Sequence, residues 1–227
     1  MPLSLSPFDG RYTRQQVSEA TDLEVDVLSY WIKEGLLKAA EGEGLGRGKH
    51  RLFGFEAIHI AAVLKELGRY GVQVGGLRQV SELLWGVVAF CSDHADITED
   101  VRADASLLRR ARARYSDKAS LSTDARSPDD SFESFEDWLE DHPNISAKAL
   151  EIEPWFDEGA DLAFALYADL FTGSIFESFD TRWIFAHADD QLIAVPEDLH
   201  LESLDLDRVR SYLMINLSLI IRPIWML

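Results

Sequence analysis

The chain has 227 residues, of which 47% are hydrophobic, so it can bury one ordinary core or a small module together with a larger one. Its single cysteine, Cys91, excludes an internal disulfide, and its first residues lack the charged and apolar regions of a secretory signal. No uninterrupted apolar run reaches the length of a membrane span. These features predict a soluble protein of the reducing cytoplasm.

The formal net charge of −18 is distributed unevenly along the chain. Up to Val88 there are 10 Lys and Arg against 11 Asp and Glu, whereas the remainder holds 12 against 29. Acidic surfaces repel nucleic acid, because neutralisation of phosphates by Lys and Arg dominates affinity for it. The charge therefore disfavours nucleic-acid binding by the acidic remainder and leaves it open for the first third.

The first predicted elements are two short helices joined by a tight turn. The run Thr13–Gln16 has the pattern of a capping box, which predicts a helix starting there. A second helix is predicted from Val25 to Glu34, with Leu28 and Trp31 on its apolar face and Gly35 as its C-terminal stop. Two such helices form the helix-turn-helix arrangement.

The next segment predicts a wing, meaning two short strands joined by a glycine-rich loop. Leu36–Lys38 and Arg51–Phe53 are the predicted strands, and Gly42–Gly48 is the loop. A phosphate-binding loop is the weaker interpretation, since the Gly-Lys-Ser/Thr ending of such loops is missing. Helices are predicted to follow at Phe55–Leu67 and Leu77–Leu84.

Beyond Trp85 the pattern predicts further helices, a linker and a small sheet. We expect helices at Glu99–Tyr115, Phe132–Glu140 and Gly159–Phe171, a linker at Ser116–Ser131, a hairpin of Arg182–Ala186 with Gln191–Val195, and a strand or strand-to-helix segment at Ser211–Ile221. The predicted fold class is mainly α with small β elements (α+β). The predicted division is a winged domain at 1–88, a dimerisation helix and linker region at 89–131, and an acidic α+β domain at 132–227.

The first third resembles the MerR family of winged helix-turn-helix transcriptional regulators. The matching residues are Tyr12-Thr13, Val17, Ala20-Thr21, Leu28, Tyr30-Trp31, Glu34–Leu37, the run Gly46–Phe53 and Leu64–Gly68. Their order and spacing agree with the family over some seventy positions, and each apolar position falls on an expected buried face.

This resemblance implies a homodimer that binds double-stranded DNA, with recognition helices in successive major grooves and wings on the flanking backbone. The residues expected to contact DNA are Arg14, Tyr30, Lys33, Arg47, Lys49, His50 and Arg51. Contact with RNA polymerase or another protein is left open, and no cofactor, metal ligand or membrane contact is predicted.

Three positions depart from the family pattern. Ser29 stands where the recognition helix commonly carries Arg, Ile32 where it carries Glu, and Glu24 where a Ser cap is usual. Together with Asp22 and Asp26, Glu24 would bring carboxylates toward phosphates, which Coulomb repulsion disfavours. We therefore expect the basic wing to contribute more affinity than the recognition helix.

Several alternatives remain open at this point. Cys91, Asp93, His94 and Asp96 suggest a metal site, although a single thiol supports it weakly. The cluster Arg109–Arg114 could reach DNA or pair with the acidic segment Glu133–Asp141, and the aromatic residues from Trp155 to Phe185 could line an effector pocket or form a core. No catalytic constellation is present, so an enzyme is not expected. The rival functions are a protein-interaction adaptor that retains the winged fold and an excisionase-like architectural DNA protein.

Overall fold

The computed structural model describes residues 10–40, 51–118, 134–173, 182–188, 191–197 and 209–225. Within these ranges the chain is mainly helical with small antiparallel sheets, which confirms the predicted fold class. The residues group into two compact units. One unit joins the chain up to Cys91 with the chain from Phe164 onward, and the other, here the middle unit, is Ser92–Ala163.

The described elements are β1 (Tyr12–Thr13), α1 (Arg14–Thr21), α2 (Val25–Lys33), β2 (Leu52–Phe53), α3 (Phe55–Arg69), α4 (Val74–Asp93), α5 (Glu99–Lys118), α6 (Phe135–Glu140), α7 (Ala147–Ile152), α8 (Glu158–Ala168), a π-helical turn (Asp169–Gly173), β3 (Arg182–Ala188), β4 (Gln191–Pro196), β5 (Val209–Asn216) and α9 (Leu217–Trp225).

Local hydrogen bonds define both helices of the helix-turn-helix. The predicted capping box is present, because the Thr13 side chain accepts from the Gln16 backbone N–H and the Gln16 side chain accepts from the Thr13 backbone N–H. Asp22 ends α1 in the left-handed region, at φ +51°. Gly35 adopts φ +78° just after α2, where a glycine pays no steric penalty, so the predicted stop is also confirmed.

Strand β2 pairs with β1 rather than with the predicted strand Leu36–Lys38. In the antiparallel β1–β2 register, Tyr12 lies opposite Phe53 and Thr13 opposite Leu52. Leu36 and Leu37 form a bend and Lys38 has no regular secondary structure, so the prediction of a strand here is wrong. The physical reason is that the Leu36 carbonyl accepts from the Ser81 hydroxyl and the Trp85 indole N–H, and is therefore not available to a ladder.

Helix α3 is buried on nearly all sides. Ile58, His59, Ile60 and Ala61 are all fully buried. A helix that is apolar all round must be covered from more than one direction. Helix α1 covers α3 on one side, and the π-helical turn and α9 also pack against it. The C-terminal part of the chain thus completes the core around α3.

Helix α4 is longer than predicted, since it continues from Val74 through Leu84 to Asp93. Its buried residues include Leu77, Val80, Leu84 and Val87, which keep a helical spacing across the predicted end. Gly75 and Gly76 lie in its first turn, where glycine has a low helix propensity, but the apolar positions that follow are packed, and tertiary packing overrides a weak local propensity.

The C-terminal elements form a three-stranded antiparallel sheet in the order β4-β3-β5, followed by α9. Strands β3 and β4 pair as the predicted hairpin, with Phe185 opposite Ala194. Strand β5 runs into α9, which confirms the strand-to-helix alternative for this segment. The fully buried Trp183 of β3 donates its indole N–H to Asp169, at 2.7 Å, which links the sheet to the π-helical turn.

In the middle unit, α5 packs against α6 and α7. Ser134 and Ser146 cap the latter two helices with their side chains. The Ser146 backbone N–H also donates to Asp104 of α5, at 2.8 Å. Helix α7 was not predicted, and most of the predicted linker Ser116–Ser131 lies outside the described residues.

The segment from Phe164 onward groups with the chain up to Cys91. The division into domains at 1–88, 89–131 and 132–227 stays a prediction. No helix in the described part of the chain is both long and apolar enough to cross a bilayer.

Candidate functional site

A cavity of about 910 Å³ lies between the start of α1, one face of α2 and strand β2. We call it the cation cavity. Four of its residues, Val25, Ser29, Ile32 and Lys33, recur on α2 at the helical spacing that places them on one face. The remaining lining residues are Thr13, Arg14, Gln15, Arg51 and Phe53.

The charge of the cation cavity is positive. Arg14, Lys33 and Arg51 line it, and all three side chains belong to exposed residues. None of the described residues that line it is Asp or Glu. A concave surface with three cations and no lining carboxylate attracts anions, and phosphate groups are the anions that Lys and Arg bind most often on nucleic acids.

One hydrogen bond crosses the cation cavity from α1 to α2. The Arg14 Nη1 group donates to the Ser29 hydroxyl oxygen at 3.0 Å. The Ser29 hydroxyl in turn donates to the Val25 carbonyl at 2.6 Å. Because the hydroxyl has a single hydrogen, it acts only as an acceptor toward Arg14. The guanidinium is thus oriented by a neutral side chain rather than neutralised by a carboxylate.

The acidic residues around α2 differ in how far their charges are compensated. Asp22 pairs with Lys65 at 3.0 Å, and the same ammonium donates to the Thr21 carbonyl at 2.9 Å. Glu34 pairs with Arg78 at 2.8 Å. Glu24 and Asp26 are exposed, and Glu24 makes no side-chain cap to α2. Of the three carboxylates expected to repel phosphates, Asp22 therefore already has a cationic partner.

The structure brings together some of the predicted contact residues. Arg14, Lys33 and Arg51 share the cation cavity. Tyr30 is 46% exposed on α2 whereas Trp31 is 5% exposed, so the aromatic pair divides between surface and core as predicted. Arg47, Lys49 and His50 lie outside the described residues.

The contact of Ser29 with Arg14 was not predicted from the sequence, where Ser29 was considered only as the absence of an Arg. The available signal was the pairing of a small hydroxyl residue in the middle of α2 with an Arg at the first position of α1. That signal is weak, because the two residues are 15 positions apart and their contact depends on how the helices cross.

A second polar cluster, which we call the His59 joint, is buried where α3 meets the π-helical turn and α9. The Trp225 indole N–H donates to His59 Nε2 at 2.8 Å, and His59 Nδ1 lies 2.8 Å from the Leu170 carbonyl. An indole nitrogen only donates, so Nε2 must accept and Nδ1 carries the proton. The ring also stacks on Phe171, with centroids 5.3 Å apart.

The His59 joint is suited to architecture rather than to proton transfer. Burial lowers the pKa of His59 to about 3, and the hydrogen bond to Leu170 opposes that shift only in part. Both ring nitrogens already have partners within the chain. A neutral, fully buried and fully hydrogen-bonded imidazole is not placed to exchange protons with a substrate near neutral pH.

The middle unit has a smaller groove, of about 500 Å³, next to the predicted arginine cluster. Arg112 pairs with Glu153 at 2.8 Å, and its guanidinium lies 4.4 Å from the centre of the Phe135 ring. Intramolecular pairing is thus observed for Arg112, but its acidic partner is Glu153 and not the predicted segment Glu133–Asp141.

His94 and Asp96, two of the residues near Cys91 considered for a metal site, are engaged in other contacts. The His94 ring packs against Trp155, with centroids 4.9 Å apart, and Asp96 pairs with Lys148 at 3.0 Å. Within the described ranges, no three His, Cys, Asp or Glu residues come together as a metal site. Of the aromatic residues considered for an effector pocket, Phe156, Phe171 and Trp183 are core residues, whereas Trp155 is 42% exposed.

A family model described as MerR HTH family regulatory protein matches residues 12–84. The match includes both helices of the helix-turn-helix, strand β2, α3 and the first part of α4, and it ends before the C-terminal two thirds of the chain. No curated protein and no solved structure matches the chain.

Proposed function

We propose that the protein is a transcriptional regulator that binds double-stranded DNA, because residues 12–84 match a family model described as MerR HTH family regulatory protein. The single observation that carries this proposal is the cation cavity. Arg14, Lys33 and Arg51 line it, and none of its described lining residues is a carboxylate, although the whole chain has a net charge of −18. Such local separation of charge favours a polyanionic partner at this face.

In this proposal α2 enters the major groove and presents the face formed by Val25, Ser29, Ile32 and Lys33. Arg51, which directly precedes β2, contacts the flanking backbone together with the basic run before it in sequence, Arg47–His50. Tyr30 directs its hydroxyl toward a phosphate. The compensation of Asp22 by Lys65 supports an approach to phosphates, because it removes part of the repulsion expected at this end of α2.

We further propose that the protein acts as a homodimer in the cytoplasm, on a site with two-fold symmetry. Support comes from the partly exposed apolar residues of α4, among them Leu83, Val88 and Ala89. Two other apolar residues of α4 have partners within the chain, since Trp85 donates to the Leu36 carbonyl and Phe90 packs against Phe164. Sedimentation at micromolar concentration tests this, and a stable monomer of 25.6 kDa would exclude a dimer.

The proposed function is tested by recovering bound fragments from a pool of genomic DNA with the full-length chain. The expected result is enrichment of one family of related sequences, with an affinity for the recovered site that falls as salt rises. The reference is a scrambled duplex of the same length and composition. Equal affinity for both duplexes would exclude a sequence-specific regulator.

A protein-interaction adaptor is the second candidate, and the exposed carboxylates Glu24 and Asp26 at the start of α2 favour it. An adaptor would leave the DNA pool unenriched at every salt concentration. The two functions are therefore separated by the same recovery experiment.

A further inference from the structure

Arg14 is the cation of the cavity whose position is defined by a side chain of α2. Its Nη1 group donates to Ser29, and Ser29 is itself held by its bond to the Val25 carbonyl. A guanidinium has five N–H donors in a planar arrangement. Since Arg14 is exposed and one donor bonds to Ser29, the other donors are available to a ligand in the cation cavity.

Ser29, which anchors the Arg14 guanidinium, lies in the middle of α2, four residues from each end. In a helix-turn-helix the recognition helix lies in the major groove with its N-terminal residues against the base edges, and Ser29, in the second turn of α2, lies nearer to those residues than Lys33 does. Arg14 belongs to α1, but its bond to Ser29 carries the guanidinium to this central position. Lys33, at the last position of α2, is placed instead like a residue that contacts phosphate.

We propose that Arg14 reads a guanine in the major groove by donating two hydrogen bonds to its O6 and N7 atoms, and that Ser29 is the positioning residue for this contact. The inference rests on the proposed function and adds a specific base to it. Guanine is the base that offers two adjacent acceptors, which match two donors of a guanidinium. A guanidinium held by a neutral hydroxyl keeps its charge and its remaining donors for the base, unlike one paired with a carboxylate.

The test uses the full-length chain and the DNA site recovered from the genomic pool. Each guanine of the site is replaced singly by 7-deazaguanine, which removes the N7 acceptor and leaves base pairing intact. At one guanine per half-site the affinity of the unmodified protein should fall roughly 10-fold to 100-fold. For Arg14→Ala the same modification should change the affinity very little, because the group that recognises N7 is gone.

Ser29 is tested by comparing two substitutions. Ser29→Ala removes the anchor and should reduce the discrimination against 7-deazaguanine. Ser29→Thr keeps a hydroxyl that can bond the same two partners and should restore most of it. A merely structural role would alter affinity for both duplexes equally and leave the discrimination unchanged. Lys33→Ala is the matched control, since it should weaken binding to both duplexes and preserve the discrimination.

The possible failures are distinguishable. If the protein recovers no DNA, the proposed function is wrong and this inference with it. If the protein binds its site but Arg14→Ala retains the full sensitivity to 7-deazaguanine, the inference alone is overturned. The inference is also overturned if the only effect of Arg14→Ala is to lower the slope of log affinity against log salt by about 0.9. A change of that size identifies a phosphate contact.

Discussion

The cation cavity and the His59 joint show two opposite uses of polar residues within one compact unit. In the cavity, exposed Arg and Lys side chains surround an open volume, and one of them is oriented by a neutral hydroxyl. In the joint, a neutral His is fully buried, both of its nitrogens are bonded within the chain, and aromatic rings surround it. Polar groups that keep accessible donors are suited to binding, whereas polar groups with every donor and acceptor used are suited to holding segments together.

Stability and DNA binding should therefore depend on different residues. Changes in the His59 joint should lower the free energy of unfolding and leave the salt dependence of DNA binding intact. Changes in the cation cavity should do the reverse.

The largest effect is expected for Phe171→Ala in the His59 joint. Phe171 is fully buried, stacks on His59 and packs edge-on against Phe55 at 5.5 Å. Its truncation should cost about 3 to 5 kcal/mol of unfolding free energy, measured by urea denaturation. Tyr70→Ala is the control, since Tyr70 is 67% exposed and its loss should stay within about 0.5 kcal/mol. Equal costs for the two variants would show that the joint is not part of the core.

A smaller effect is expected for Trp225→Phe, which keeps an aromatic ring and removes the indole N–H. The acceptor Nε2 of His59 would then be buried without a donor, at a cost of about 1 to 3 kcal/mol. Trp85→Phe is the matched control, because the Leu36 carbonyl that loses the Trp85 donor still accepts from Ser81. A larger loss for Trp85→Phe than for Trp225→Phe would contradict the assignment of hydrogen bonds in the joint.

The His59 joint also predicts a pH dependence of stability. The pKa of His59 is about 3 in the folded protein and near 6.5 when unfolded, so the unfolded chain binds the additional proton between these values. The stabilisation is therefore complete above the unfolded pKa and is lost as pH falls toward the folded pKa, with a slope of up to about 1.4 kcal/mol per pH unit. His59→Gln, which cannot titrate, should give a shallower slope in urea unfolding between about pH 6 and pH 4. An unchanged slope would mean that His59 does not carry this dependence.

The smallest effect is expected for Lys65→Ala, which removes the partner of Asp22 in the turn between the first two helices. The ion pair of Lys65 with Asp22 should contribute less than about 1 kcal/mol to the free energy of unfolding, because the Asp22 carboxylate is largely exposed. DNA affinity should nevertheless fall a few-fold, because the charge of Asp22 is then uncompensated. Arg69→Ala breaks the comparable pair with Glu66 elsewhere and should leave affinity unchanged. Equal affinities of the two variants would show that Asp22 does not face the phosphates.

The sequence predicted well those features that neighbouring residues determine. The capping box of Thr13 and Gln16 and the stop at Gly35 depend on contacts within a few positions. The hairpin of β3 and β4 likewise follows from two alternating segments close together in the chain. In each case the hydrogen-bond partners can be identified from spacing alone.

The features that were missed depend on residues far apart in the chain. His59 bonds to Leu170 and Trp225 across 111 and 166 positions, and no local pattern specifies such partners. One available signal was the continuous apolar run from Ile58 to Leu64 around His59, which indicates a helix covered on more than one side. The predicted boundary at residue 88 followed the loss of local pattern there, whereas the core around α3 is completed by the end of the chain.

A charge-matched pair of triple variants tests whether the cation cavity binds the phosphates and bases of DNA. The first replaces Arg14, Lys33 and Arg51 by Ala. The second replaces Arg69, Lys148 and Arg182, three cations that do not line the cavity. Affinity for the recovered site is measured by fluorescence anisotropy over a salt series. The cavity variant should reduce the slope of log affinity against log salt by roughly 2 per bound chain, about 0.9 each for the phosphate contacts of Lys33 and Arg51, and the control should leave it unchanged. Equal slopes for the two variants would show that the cation cavity does not bind the DNA phosphates.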